Sequence, residues 1–367
     1  MAVYGIAAVL AVLAFALIWQ NSRSGEEEVA AEVQGESTDN EAGTGTDATP
    51  DISTTDSTTT TAPPPPEPIT LAFAGDTNYE SVAGSAADRI RPFQELLSSA
   101  DFAVVNLETA ITERGTPVGK EFTFRAPPSV LAGLQENGVD AVSMANNHGM
   151  DFGSVGLVDS LEAKKTSPIP VLGIGANEDE AFAPHVVEVK GHTVSIIAAT
   201  QVLDASLQSS WTATESQGGL ASAKREDRLV EEVVKARAAS DIVVVFLHWG
   251  VERTTCPSES QQSLADTLRE AGADVIVGSH AHRVLAGGRL GDAVVHYGLG
   301  NFGFYAQGAE ASTTGVFTVT LSGRRAESYQ WHPGVIRERV PQPLTGADGL
   351  EAVAAWDQLR DCSNLTP

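Results

Sequence analysis

Six short apolar runs, rich in β-branched residues, each end in a polar cluster, and segments of helical periodicity separate them. Residues 69–74 run into Gly75-Asp76, 102–105 into Asn106-Leu107-Glu108, and 141–144 into Asn146-Asn147-His148. Residues 242–247 run into His248-Trp249-Gly250, 275–277 into Gly278-Ser279-His280-Ala281-His282, and 294–297 into Gly300-Asn301. Runs of this kind read as buried strands. The intervening periodicity predicts helices over 89–99, 129–137, 154–165, 224–239 and 258–271. Gly138 and Gly272 stop two of these, and Ser258 with Gln261 forms a capping box at the start of the last. The alternation predicts an α/β fold. In open α/β sheets ligands bind beyond the carboxyl edge of the strands, so six polar clusters at that edge point to one site.

The residue types define its chemistry. Asp76, Glu108, Asn147, His248, His280 and His282 offer oxygen and imidazole donors and no thiolate. This set suits Mn, Fe, Zn or Mg, and is large enough for one or two divalent ions. Each cluster alone has a plainer reading: Gly75-Asp76 as a turn, Glu108 as a cap, His248-Trp249 as a core pair. Their common placement favours the metal. His280 and His282 lie two apart, so at a strand end both point to one side. His185, His192, His296 and His332 lack this placement and read as core or surface residues, with His192 beside the turn of a hairpin.

Acidic residues outnumber basic ones by 48 to 23, a net charge of −25, which excludes a nucleic-acid partner. Residues 2–19 carry no charge, close to the length that spans a bilayer. No Lys or Arg precedes them and no small-x-small site follows, so residues 1–20 read as an uncleaved transmembrane anchor in preference to a signal segment. Residues 21–68 hold eleven acids against one Arg, ten Thr and four consecutive prolines, and predict a disordered linker. The expected organisation is a single-pass membrane protein with an extracytoplasmic domain over 69–345 and a C-terminal helix and tail over 346–367 packed on it. Cys256 and Cys362, an even pair without a metal role, fit a disulfide in an oxidising compartment.

Taken in order, these motifs resemble the capsule-synthesis CapA family, a branch of the calcineurin-like metallophosphoesterase superfamily. The matching residues are Gly75-Asp76, Asn106-Leu107-Glu108, Asn146-Asn147-His148 with Asp151-Phe152-Gly153, Gly173-Ile174-Gly175, His248-Trp249-Gly250, Gly278-x-His280-x-His282 and Gly300-Asn301-Phe302. The resemblance implies a metallophosphatase-like four-layer αββα sandwich. It also implies membrane association and a part in making or exporting poly-γ-glutamate capsule, with a membrane-embedded synthase complex as partner. His148 matches the superfamily's catalytic histidine, and Asp151 is placed to orient it. Two motifs depart from the superfamily pattern: Asp76-Thr77-Asn78 replaces Asp-x-His, and Asn106-Leu107-Glu108 replaces Gly-Asp-x-x-Asp. Asn106, Glu252 and Asn301 are therefore additional candidate ligands. Arg125 or Arg283 could clamp an anionic group, and segments 201–220 and 305–314 could shape the cleft. The leading reading is a metal-dependent hydrolase or transferase acting outside the membrane, with an anionic polymer as substrate or ligand. Its rival is a non-catalytic accessory subunit of a polymer synthase or exporter.

Overall fold

The computed structural model describes residues 67–79 and 89–367. The anchor expected over 1–20, and the linker expected over 21–68 except for its last two residues, lie outside the described residues. Among the described residues no helix is long and apolar enough to cross a membrane.

The strands that matter are β1 (Ile69–Thr77), β2 (Phe102–Leu107), β3 (Ala141–Ser143), β4 (Val171–Leu172), β5 (His185–Val189), β6 (His192–Thr200), β7 (Ile242–His248), β8 (Val275–Ser279), β9 (Gly287–Leu290), β10 (Ala293–His296), β11 (Thr313–Ser322), β12 (Arg325–Arg337) and β13 (Val340–Pro343). They form a seven-stranded sheet, β13-β12-β11-β1-β2-β3-β4, and a six-stranded sheet, β9-β10-β8-β7-β6-β5. Strands β1 to β4 run parallel, as do β6, β7, β8 and β10. Antiparallel strands complete both sheets, and β1 pairs with β11 from Ile69↔Leu321 to Ala74↔Val316. The hairpin β5–β6 turns through Lys190 and Gly191, both at positive φ, with His192 opening β6.

Period-2 alternation sorts the side chains of β1. Ile69, Leu71 and Phe73 face the second sheet and pack with Val244, Phe246 and Val277. Ala72 and Ala74 face the other way, toward the helix Ser129–Glu136. The second sheet buries its outer face against α-helices Glu226–Ala239 and Glu259–Ala271. Helices thus cover the outside of each sheet, and the sheets meet at a shared core. The capping box at Ser258 and the left-handed Gly272 (φ 113°) bound the second of these helices.

Strands β1, β2, β7 and β8 reach one to three residues further than their apolar runs, into the polar motifs, while β3 and β10 stop one residue short. At the end of β1 the pairing with β2 skips a residue: Ala74 pairs with Val105, but Asp76 with Asn106. Gly75 is the extra residue of a β-bulge, and one inserted residue flips every later side chain to the opposite face. Asp76 would otherwise share the helix side with Ala74; the bulge turns it toward the second sheet. Only glycine fits, because a Cβ at Gly75 would lie 1.9 Å from the carbonyl oxygen of Gly300.

The C-terminal helix (Gly346–Gln358) and a 3₁₀ turn (Leu359–Cys362) pack at the edge of the inter-sheet core through Trp356. Cys362 is bonded to Cys256, 106 residues earlier, with Cα atoms 5.7 Å apart. Trp356 Nε1 donates to His296 Nε2 (3.1 Å), and the His296 ring is enclosed by Phe317, Trp331 and Trp356 at 4.7, 5.1 and 5.7 Å. His296 Nδ1 has no hydrogen-bond partner. Burial pushes the imidazole down from 6.5 to about 3. The folded protein therefore holds His296 neutral while the unfolded chain protonates it below 6.5, so stability falls as pH drops through the window from 6.5 to 3. His296 alone contributes a slope of up to about 1.4 kcal/mol per pH unit. Urea unfolding at stepped pH should show this slope in the native protein and its loss in His296→Leu; identical slopes would refute it.

Candidate metal centre

The site gathers at the carboxyl ends of β1, β2, β7 and β8, where the two sheets meet. Asp76, Asn106 and Glu108 come from the first sheet, and His248, Ser279, His280 and His282 from the second. All but His282 are buried. Asn106 Nδ2 donates to Asp76 Oδ1 (2.8 Å), and Asn146 Nδ2 donates to Asn106 Oδ1 (3.1 Å). His248 Nδ1 lies 3.0 Å from Ser279 Oγ and 3.2 Å from Asn106 Nδ2. Those contacts turn Nε2 inward, to 2.7 Å from Asn147 Oδ1 and 3.1 Å from His280 Nδ1. His282 Nδ1 donates to Asp76 Oδ2 (3.1 Å) and lies 2.8 Å from Asn301 Oδ1.

Two donor groups result: Glu108 with His248 and His280, and Asp76 with Glu108 and His282, the ligand atoms of each within 4.8 Å of one another. Glu108 belongs to both. Its two oxygens are buried and accept no hydrogen bond; the nearest imidazole nitrogens, His248 Nε2 and His148 Nε2, stand at 3.6 and 3.9 Å. A buried carboxylate without donors is costly unless a cation compensates it. Oxygen and imidazole donors around a shared carboxylate fit one or two divalent ions.

The electrostatics carry the same sign. Burial, then the charge of Asp76, holds the Glu108 carboxyl well above the usual carboxylate range. Burial and the neighbouring imidazoles push His248 well below 6.5 and His280 down to about 3. Burial opposes the charge on His282, but Glu108, the hydrogen bond to Asp76 and Glu252 outweigh it and lift His282 to about 9. Without a metal the site thus holds two neutral imidazoles, His248 and His280, and one imidazole, His282, whose charge is favoured by its pairing with Asp76.

The family model for "bacterial capsule synthesis protein PGA_cap" matches residues 70–306. The chain belongs to the PGA_cap family. The matched span contains every donor of the centre and stops before β11, β12, β13 and the C-terminal helix. The capsule biosynthesis protein CapA of Bacillus anthracis is 27% identical over 295 residues, covering 77% of this chain and 71% of that protein. The PGA biosynthesis protein CapA of Bacillus subtilis is 26% identical over 283 residues, covering 76% and 73%. Among solved structures, a hypothetical protein from Thermus thermophilus is similar with a TM-score of 0.48 at 18% identity, covering 73% of this chain and all of that one.

In this PGA_cap protein the structure brings together Asp76, Asn106, Glu108, Asn147, His248, His280, His282 and Asn301. His148 and Asp151 form a pair beside them, with His148 Nδ1 2.6 Å from Asp151 Oδ2. Strand alternation does not place His280 and His282, since β8 ends at Ser279. Both adopt positive φ, 96° and 51°, and each joins a different donor group. Such strained backbone concentrates at functional sites. Glu252 is exposed and belongs to neither group; it reaches the centre only through its charge on His282. Arg125 lies over the Phe152 ring (4.9 Å), while Arg283 donates to the His282 carbonyl (2.8 Å) and pairs with Glu310. Both are occupied within the fold. In segment 201–220, the Trp211 ring lies 5.2 Å from Lys120 Nζ; next to segment 305–314, the Phe304 ring lies tilted 4.9 Å from that of His282. Sequence reasoning missed Lys120 and Phe124, which flank the His148–Asp151 pair from a stretch without motif, strand or helix.

Replacing Glu108 tests the donor geometry. Removal of bound metal by chelation should lower the melting temperature of the native protein and leave that of Glu108→Gln unchanged. The metal-free variant should be at least as stable as the metal-free parent, because the amide has no charge to desolvate. A Glu108→Gln protein that keeps its chelator-sensitive melting shift would exclude Glu108 as a ligand.

Proposed function

We propose that this PGA_cap protein is a membrane-anchored, extracytoplasmic CapA-like component of capsule synthesis or export, handling poly-γ-glutamate or a similar anionic polymer. In this reading the fold is a metallophosphatase-like four-layer αββα sandwich carrying a divalent-metal hydrolase centre. The observation that carries the metal is Glu108, buried, without a donor and shared by two ligand groups. The polymer is suggested by the relatives, one of which is a PGA biosynthesis protein. The uncharged run at residues 2–19 and the Cys256–Cys362 bond support an anchored protein facing an oxidising compartment.

Glu108, His248 and His280, with the Asn147 side chain, would hold one ion; Asp76, Glu108 and His282 would hold another. When bound, a divalent ion supplies Lewis-acid charge stabilisation and makes water a competent nucleophile near neutral pH. The protein's own part is proton handling and exclusion of water. Asp151 Oδ2 fixes His148 Nδ1 and accepts the Phe124 backbone N–H (2.7 Å), so it cannot swing away. His148 Nε2 then faces the centre, 3.9 Å from Glu108 Oε1, as the atom that hands a proton to a leaving group. The Phe124 ring covers His148 at 4.2 Å and shields it from bulk water.

Net charge bears on the substrate. The linker carries −10 of the −25, leaving −15 on the rest of the chain. A domain of that charge repels a polyanion, and cations at the centre offset the repulsion locally.

The test uses the full-length protein in detergent. Elemental analysis should find one or two equivalents of divalent metal. Phosphomonoester, phosphodiester and γ-glutamyl substrates supplied with Mn should include at least one that is turned over. The double variant His280→Ala with His282→Ala should lose both metal and turnover. Absence of stoichiometric metal and of variant-sensitive turnover would instead assign a non-catalytic accessory subunit.

A further inference from the structure

Lys120 lies outside every motif, yet its side chain is only 10% exposed and ends against the centre. Its ammonium donates to the backbone carbonyl of Asn147 and to Asp151 Oδ1 (3.0 Å), and stands 3.5 Å from Asp204 Oδ2. The Trp211 ring lies 5.2 Å from Nζ, within cation–π range. The contacts with Asn147 and Asp151 matter because each of these residues in turn holds a histidine of the centre. The Asn147 side chain presents Oδ1 to His248 Nε2 at 2.7 Å, and Asp151 holds His148. Three residues separate Asn147 from Asp151, and the stretch between them is turn. Within and beside it, Asp151 N reaches the His148 carbonyl at 3.3 Å and Gly149 N that of Asn146 at 3.5 Å, both long for hydrogen bonds, and His148 N donates to Asn146 Oδ1 at 3.0 Å. External ties hold the turn: Val118 N to the Asp151 carbonyl (2.9 Å), Phe124 N to Asp151 Oδ2, and the ammonium of Lys120. Of these ties, Lys120 alone reaches both ends of the turn.

We propose that Lys120 is the positioning residue of the centre, setting the Asn147 donor and the His148–Asp151 pair with a single ammonium. The inference rests on the metal-centre reading for Asn147 and is independent of it for His148. Lys120 touches no reacting atom. Its donors are spent on the protein, so it acts through Asn147 and Asp151 and not as an anion clamp. Loss of an outer residue that orients a ligand typically lowers metal affinity about 10- to 100-fold.

Two readouts on the full-length protein decide the matter. Calorimetric titration of the metal-free protein with Mn²⁺ measures the affinity. Proton NMR follows the low-field imidazole N–H shared by His148 and Asp151, assigned by its loss in His148→Ala. Lys120→Met should weaken Mn²⁺ binding at least about ten-fold and broaden or abolish the low-field resonance. Lys120→Arg should keep the resonance and recover part of the affinity. Asp204→Asn, which removes only the half-exposed outer partner, should leave both within about two-fold of the parent. If Lys120→Met does not fold, Lys120→Gln carries the same expectations. Native affinity and an unchanged resonance in the Met variant overturn the proposal, and so does a change in only one of them. A native protein that binds no Mn²⁺, with a resonance that still depends on Lys120, would refute the metal reading and retain the positioning of His148. If the resonance is then independent of Lys120, both fail.

Discussion

The carboxyl group of Glu108 is sealed into the junction of two sheets with no hydrogen bond to either oxygen, where burial and Asp76 disfavour its charge. Burial of that kind costs several kcal/mol when nothing compensates it. The surrounding construction makes sense as a means of presenting the carboxylate to positive charge. Asn106 donates to Asp76, and Asn146 holds Asn106 in that orientation. His248 and His280, held neutral, face it from the opposite sheet.

Because each sheet contributes donors, the centre depends on how the sheets dock. Close approach of β1 to the Gly300 loop is possible only with glycine at position 75, and the same glycine is the bulge that turns Asp76 inward. On the other sheet, a Cβ at Gly278 would lie 2.0 Å from Trp249 Nε1, so the strand that leads to His280 and His282 settles directly on the tryptophan next to His248. The Trp249 indole in turn donates to the Tyr297 carbonyl (2.9 Å), linking β7 to the chain that leads to Asn301. Local backbone and site geometry are therefore one problem: a methyl group at either glycine would separate ligands that lie far apart in sequence.

Much of this was legible in the sequence because the physics is local. Apolar runs announce parallel strands, Gly138 and Gly272 end helices, and polar residues clustered at strand ends announce a site; the structure agrees with these, with shifts of a few residues. What could not be read is whatever depends on pairing between distant segments. The bulge at Gly75 exists only relative to β2, and its effect on Asp76 is invisible in a single strand. The positive φ at His280 and His282 sends their side chains to different donor groups, where an alternation argument points both to one side. Lys120 carries no signal because lysine in a loop is ordinarily a solvated charge; only the tertiary fold brings it under Asn147. His296 looks like any strand residue until Trp356, from the far end of the chain, closes over it.

The bond between Cys256 and Cys362 closes a covalent ring that takes in His280, His282 and Asn301 while leaving Asp76, Glu108 and His248 on the arm outside it. In a chain-entropy account a loop of this length restrains the unfolded chain by about 4–5 kcal/mol. There is also a consequence for integrity. A single proteolytic cut anywhere between residues 257 and 361 nicks the ring without releasing a fragment, so the second-sheet ligands stay covalently tethered to the first. A cut between Glu108 and His248 has no such safeguard, and the two halves of the centre are then held together by packing alone.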